Sequence, residues 1–148
     1  MPLTEAEKAY AAGIVDGEGC VRLASRAKKY VTPSVQVSNT RFDLLQWLKE
    51  RWGGSVYFCK EPRTNRKPHG VWSVCGQKAI SFLRDVQPFL LIKNEQAQII
   101  LSLPRWYVSE RDALGRIKGT LTDERIAENV RLLDEIRILN KRGATHAA

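Results

Sequence analysis

The spacing of apolar and small residues near the start of the chain is helical. Residues 5–16 repeat these side chains at intervals of three and four, with Thr4 in front of them as a suitable N-cap and acidic residues in the first turn. Gly17 or Gly19 is the expected stop, because glycine commonly follows the last helical turn. The chain is therefore predicted to open with a helix.

The period then falls to two, which is typical of strands with one buried face. Residues 21–28 and 32–39 alternate in this way around a basic turn near Lys29 and Tyr30, which predicts an antiparallel pair. The later elements are predicted to be a helix over 41–54, strands over 55–60 and 70–75, helices over 77–90 and 94–104, and a last helix from Thr122 to Gly143.

The order helix, two strands, helix, two strands, then helices predicts an α+β fold. Four antiparallel strands would form one sheet, and the helices can cover only one of its faces. The other face should stay polar and open, and Arg22, Arg26, Lys28 and Gln36 are expected to point there. A concave basic face of this kind suits a DNA groove, since antiparallel strands fit the major groove and such side chains can read base edges.

Composition and charge narrow the class of protein. The 148 residues are 43% hydrophobic, which suits one domain, and they contain no apolar run of membrane-spanning length. The N-terminus is too polar for a signal peptide, and the three cysteines show no zinc-like or redox spacing. We therefore expect an intracellular protein without a membrane partner, located wherever its target is held.

The positive charge is concentrated in one segment. The net charge is +8, and residues 22–67 alone hold eleven Lys and Arg against three acids. Such a concentration favours a polyanionic partner over an ordinary solvated face, although the sign of the charge does not separate DNA from RNA.

The stretch AAGIVDGEG, residues 11–19, combines a helix end with two carboxylates among glycines. Ala9, Ala12, Gly13 and Asp16 form one stripe of small side chains, which could pack on the domain's own core or on the same stripe of a second subunit. In the second arrangement two copies of Glu18 would lie close together. Carboxylates beside glycine carbonyls are suitable ligands for Mg²⁺, which can activate a water for phosphodiester hydrolysis.

These residues carry a resemblance to a known family. AAGIVDGEG resembles the LAGLIDADG motif of homing endonucleases at Ala12, Gly13, Asp16 and Gly19, with an acid, Glu18, at the eighth position. VQPFLLIKNEQA, residues 86–97, is similar to the family segment that leads to an active-site lysine. The resemblance covers about residues 4–106 of a single domain, 1–148, and leaves 107–148 as a helical extension.

The resemblance implies a fold, an activity and a set of site residues. The fold would be αββαββα with a saddle-shaped DNA-binding sheet, and the activity site-specific cleavage of double-stranded DNA. Glu18, helped by the Gly17 carbonyl, would bind Mg²⁺ or Mn²⁺, while Asn39 would orient waters and Lys93 would polarise them or stabilise the scissile phosphate. Asp16 is expected to be structural. Because the chain has one copy of the motif, it would act as a homodimer.

The same resemblance implies how DNA is held and cut. Each protomer would cover about 10 base pairs of a near-palindromic site, with cleavage across the minor groove that leaves short 3′ overhangs. The loop from Arg63 to Lys67 would either extend the phosphate contacts outward or remain uncontacted, whereas His69 is expected in a loop without a role. The expected DNA contacts are Arg22, Ala24, Arg26, Lys28, Thr32, Ser34, Gln36, Ser38, Arg41, Phe58, Lys60, Arg63, Arg66, Lys67 and Ser73.

Three alternatives remain open at this stage. A protein of the same fold could bind DNA without cutting it, or could bind its own intron RNA as a maturase. An unrelated basic α+β protein would leave the segment around Lys93 unexplained. The last helix could either buttress the core or contact DNA.

Overall fold

The structure, a computed structural model, describes residues 1–26, 30–59, 67–103, 113–114 and 122–145, with residues 26 and 142–145 described at the level of the backbone. Its order of elements is the predicted one, and the fold is α+β. The elements are α1 (Glu5–Glu18), β1 (Gly19–Arg26), β2 (Tyr30–Asn39), α2 (Phe42–Trp52), β3 (Ser55–Cys59), β4 (His69–Cys75), α3 (Gln77–Val86), a 3₁₀ turn (Gln87–Phe89), α4 (Asn94–Leu101) and α5 (Asp123–Thr145).

The four strands form one antiparallel sheet in the order β1-β2-β4-β3. The β1–β2 pair runs from Gly19 opposite Val37 to Arg26 opposite Tyr30, so that the two strands match along their whole shared length. The central strands are therefore β2 and β4, and β1 and β3 form the two edges.

Among the described residues, helices cover one face of the sheet, as the alternation predicted. Val21, Val35, Val37, Trp72 and Val74 point to that face and are buried in a single hydrophobic core. The indole N–H of Trp72 has a hydrogen-bond partner there, because it donates to the Gly53 carbonyl at 2.9 Å. Helix α3 packs on this face with the expected residues inward, since Ile80, Leu83 and Val86 are all buried.

Helix α1 is two residues longer than predicted. Thr4 and Glu7 form a capping box at its start, and Gly19 is the residue that ends it. A Cβ atom on Gly19 would lie 2.8 Å from both the Cα and the carbonyl oxygen of Val15. Only glycine allows the chain to leave the helix this closely, and β1 consequently begins directly after Glu18.

Helix α5 packs against the core, which answers one of the open alternatives. Leu132, Leu133 and Ile136 belong to the same core as the sheet. The Asn140 side chain donates to the Val21 carbonyl at 3.2 Å and accepts from the Gln96 amide at 3.2 Å, so it ties α5 to β1 and α4. Among the residues that the structure describes, no helix has the length and apolar character needed to cross a membrane.

Candidate nucleic-acid interface and active site

The last turn of α1 is tied to the chain segment just before α4. The Asp16 carboxylate accepts three backbone N–H groups, from Leu91 at 2.8 Å, Ile92 at 3.2 Å and Lys93 at 3.0 Å. The Lys93 ammonium returns a hydrogen bond to the Asp16 carbonyl at 2.7 Å. Asp16 is thus a structural residue, as expected, because its oxygens satisfy donors that the turn would otherwise leave unpaired.

Glu18 follows as the last helical residue and is exposed. Its side chain lines an open cleft of about 550 Å³. The other side chains of this cleft are those of Ser38, Asn39, Thr40, Lys67 and His69. The predicted pair Glu18 and Asn39 therefore meets in one cleft, whereas Lys93 bonds to the helix end two residues before Glu18.

Asn39 has a second task at the end of β2. Its side-chain carbonyl accepts the backbone N–H of Arg41 at 2.8 Å, which stabilises the turn into α2. The side-chain NH₂ group remains as the part of Asn39 that can donate into the cleft.

Arg41 is turned towards an acid on its own helix. Its guanidinium makes two hydrogen bonds to Asp43, at 3.1 and 2.6 Å, and these lower the pKa of Asp43 and raise that of Arg41. Both groups line a separate cleft of about 600 Å³ with Tyr10, Leu44 and Trp47. The ion pair with Asp43 thus occupies two of the donor nitrogens of Arg41, whose side chain is largely exposed.

Most of the predicted DNA contacts that the structure describes lie on the open face of the sheet. The register places β1 residues 20, 22 and 24 beside β2 residues 36, 34 and 32, and these beside β4 residues 73 and 75. Side chains on alternate positions share a face. The predicted residues on this face are Arg22, Ala24, Thr32, Ser34, Gln36, Ser38 and Ser73. Ser34 is buried among its neighbours, so its side chain is not accessible as a DNA contact in this structure.

One predicted contact is placed differently. Phe58 lies opposite Gly70 in the β3–β4 register, on the helix-covered side, and its ring stacks on Phe42 at 5.2 Å between centroids. It is not a residue of the open face, since strand alternation puts Tyr57 there instead. Lys28, Lys60, Arg63, Arg66 and the side chain of Arg26 lie outside the described residues.

The small-residue stripe of α1 is also divided. Ala12 is fully buried in the chain's own core, together with Ala11 and Val15. Ala9 and Gly13 are exposed, and a Cβ on Gly13 would meet nothing within 4 Å. The prediction that Ala12 faces a second subunit is therefore wrong, and the exposed small face of α1 is Ala6, Ala9, Gly13 and Gly17.

His69 is the functional candidate that the sequence reading rejected. It is the first residue of β4 and lies opposite Cys59, not in a loop, and it lines the cleft of Glu18. A β4 strand predicted to begin at residue 69 would have placed His69 on the open face, because residues 69, 71, 73 and 75 lie at alternate positions.

The oxygen atoms at the end of α1 are suitable ligands for a hard divalent cation. The Glu18 carboxylate is exposed, and the Gly17 carbonyl has no helical partner because Val21, four residues on, belongs to β1. Within the described ranges no three His, Cys, Asp or Glu side chains are grouped to hold a metal ion. At this helix end, Glu18 and the Gly17 carbonyl are the groups that could hold such a cation.

Comparison with known proteins bears on the fold. The homing endonuclease I-CvuI, crystallised with its target in the presence of Ca, superposes with a TM-score of 0.67 at 21% identity, over 91% of this chain and 82% of that one. The chain has the fold of LAGLIDADG homing endonucleases. No protein-family model and no curated protein matches it.

Two further structures with this fold were solved with DNA. The archaeal intron-encoded homing endonuclease I-Vdi141I gives a TM-score of 0.57 at 14% identity, over 90% of this chain and 98% of that one. The LAGLIDADG homing endonuclease I-GzeII gives 0.52 at 19% identity, over 88% of this chain and 43% of that one. The expected homing-endonuclease fold is therefore confirmed.

Proposed function

We propose that the protein is a site-specific endonuclease that binds double-stranded DNA as a homodimer and hydrolyses both strands. The observation that carries this proposal is the position of Glu18, which the bonds between Asp16 and the Leu91–Lys93 turn hold at one end of an open polar sheet face. A DNA-binding module without activity has no need of an exposed carboxylate there, since a carboxylate repels phosphate.

The open face supplies the DNA contacts in this proposal. Arg22 and Gln36 lie on this face, because the residues next to them along β1 and β2 point into the core. Both side chains can donate hydrogen bonds to base edges in the major groove. The homing endonucleases that share the fold were solved with DNA targets, which supports DNA as the partner here. Binding through Arg22 and other Lys and Arg side chains should weaken steeply with salt.

Homodimerisation is supported by the surface around the helix end. The exposed small face of α1 lets a second helix approach closely, and beside it Leu91 and Ile92 are 89% and 66% exposed. Packing two such faces together would bury Leu91 and Ile92 of each protomer. It would also place the Glu18 clefts of the two protomers on one DNA duplex.

The chemistry proposed for the cleft uses few groups of the chain. Glu18 and the Gly17 carbonyl would hold Mg²⁺ or Mn²⁺, which when bound activates a water and stabilises the departing oxygen. Asn39 would orient water with its NH₂ group, and Lys93 would fix the helix end that carries Glu18. Cleavage is proposed to occur across the minor groove and to leave short 3′ overhangs.

The test is cleavage of a plasmid library that carries randomised near-palindromes of about 20 base pairs. With Mg²⁺ or Mn²⁺ the wild type should cut a subset at one position, and Glu18→Gln should cut at least about 100-fold more slowly while it binds the same subset. Glu124→Gln, which neutralises an exposed acid at the start of α5, is the matched control and should cut normally.

Other results would favour the alternatives. Specific binding without cutting by the wild type would identify a DNA-binding protein, and preferential binding of intron RNA would identify a maturase. Normal cutting by Glu18→Gln would remove the metal assignment.

A further inference from the structure

The cleft beside Glu18 contains more donors than its proposed metal role requires. Glu18 is the one acid among its lining residues, and the others, Ser38, Asn39, Thr40, Lys67 and His69, all have side chains that can donate hydrogen bonds. These donors come from two adjacent strands, since β2 ends at Asn39 and β4 begins at His69.

The register explains how the basic pair reaches this cleft. Asn39 lies opposite Gly70, so the start of β4 is the neighbour of the end of β2. His69 shares a face with Val71 and Ser73, which is the open face, and Lys67 precedes it by one strand interval. The backbone N–H of Arg41 donates to the side-chain oxygen of Asn39, so the NH₂ group of the same side chain is left as its donor.

A second cation site is a poor explanation of this arrangement. Glu18 is the one acid among the lining residues of this cleft and is already assigned to the proposed metal, so no carboxylate is left there for a second cation. A group with several acceptor oxygens and a negative charge satisfies the donors better, and in DNA the phosphate is that group.

We propose that His69 and Lys67 form a phosphate-binding pair that holds the scissile phosphate of DNA next to Glu18. The proposal rests on the proposed endonuclease function and adds to it the residues that fix the substrate. Lys67 supplies the charge, and the imidazole N–H of His69 donates to a non-bridging oxygen. Lys67 would thus bind at the centre of the complex, whereas the sequence left open either outward phosphate contacts or none.

The test measures binding to two duplexes that differ at one phosphate. The scissile position is first mapped with the wild type, and a second duplex then carries an uncharged methylphosphonate there. Binding is measured in EDTA, so that no metal-dependent cutting interferes. Wild type should lose about tenfold in affinity on the modified duplex, and His69→Ala and Lys67→Ala should each lose about tenfold on the normal one.

Measuring each variant on both duplexes separates the loss of a direct phosphate contact from a general loss of affinity. On the methylphosphonate duplex the two variants should bind within about twofold of wild type, because the contact is already absent. His69→Gln keeps a donor and should recover part of the loss. Lys78→Ala removes an exposed lysine of α3 and serves as the control, with a methylphosphonate penalty equal to that of wild type.

The outcomes distinguish the two proposals. If the protein cuts DNA but the losses from His69→Ala and the methylphosphonate multiply, the phosphate-binding pair is overturned and the endonuclease stands. If no duplex is bound or cut, the endonuclease proposal itself fails.

Discussion

Asp16 and Lys93 hold each other through two separate hydrogen bonds. The Lys93 backbone N–H donates to the Asp16 carboxylate at 3.0 Å, while the Lys93 ammonium donates to the Asp16 carbonyl at 2.7 Å. The end of α1 and the start of α4 are therefore fixed together although 77 positions separate the two residues. Any shift of this pair would also move Glu18, two residues later.

Asp16→Asn should lower the stability of the domain. A single amide oxygen cannot replace a carboxylate that accepts from three backbone donors, and we expect a loss of about 1–3 kcal/mol in the free energy of unfolding. Urea denaturation measures it. Asp43→Asn, which breaks an exposed ion pair, is the control and should change stability little. Equal effects of the two substitutions would contradict the structural role of Asp16.

Lys93→Ala should affect cutting more than binding. The lost bond to the Asp16 carbonyl should cost about 1 kcal/mol of stability. We expect the misplaced helix end to slow single-turnover cleavage at least about tenfold while affinity changes less than about threefold. If cleavage and binding fall equally, Lys93 is a phosphate contact and not a positioning residue.

Gly13→Leu should weaken the proposed dimer without damage to the protomer. Nothing lies within 4 Å of a Cβ at this position, so the larger side chain meets solvent in the single chain. Sedimentation should show a shift from dimer to monomer, with unchanged or slightly higher resistance to denaturant because Gly disfavours helix interiors. Gln98→Leu, at an exposed position of α4, is the control. An unchanged dimer in Gly13→Leu would exclude the α1 face from the interface.

The capping box of α1 should make stability depend on pH. The hydrogen bond from the Thr4 backbone, helped by the Thr4 hydroxyl and by Arg51, holds the pKa of Glu7 below its ordinary value of 4.5. A carboxyl with a lowered folded-state pKa stabilises above its ordinary pKa, and this contribution is lost as the pH falls through the folded-state value. Glu7→Gln should therefore destabilise at neutral pH, and this destabilisation should decrease as the pH falls below 4.5 through the folded-state pKa of Glu7. A constant difference across the range would show that charge is not involved.

The order of elements could be predicted because each one has a clear period and a physical end. Thr122 does begin the last helix, since its hydroxyl accepts the Arg125 backbone N–H at 3.3 Å. The ends were less accurate where tertiary contacts decide them. Helix α1 continues past Gly17 and ends at Gly19, the second of the two expected stops. Its last turn is bonded through Asp16 to a distant turn, and periodicity within one segment contains no information on that turn.

The site was predictable as far as the motif extends. Glu18 and Asn39 do meet in one cleft, but Ala12 and Phe58 have positions that depend on which side of an element faces the core. A stripe of alanines and glycines is compatible with either side, because small residues pack well on a core and against a second helix. His69 was missed for a similar reason, since β4 begins one residue earlier than the apolar pattern shows.

The bond between Asn140 and the Val21 carbonyl joins residues 119 positions apart, and Leu132 and Ile136 complete the core beneath the same strand. During synthesis, β1 would thus emerge long before the helix that covers its edge. A nascent chain that ends before α5 exposes an unpaired strand edge and an incomplete core, both of which favour aggregation. Folding of the sheet and its core is consequently completed only after α5 has left the ribosome.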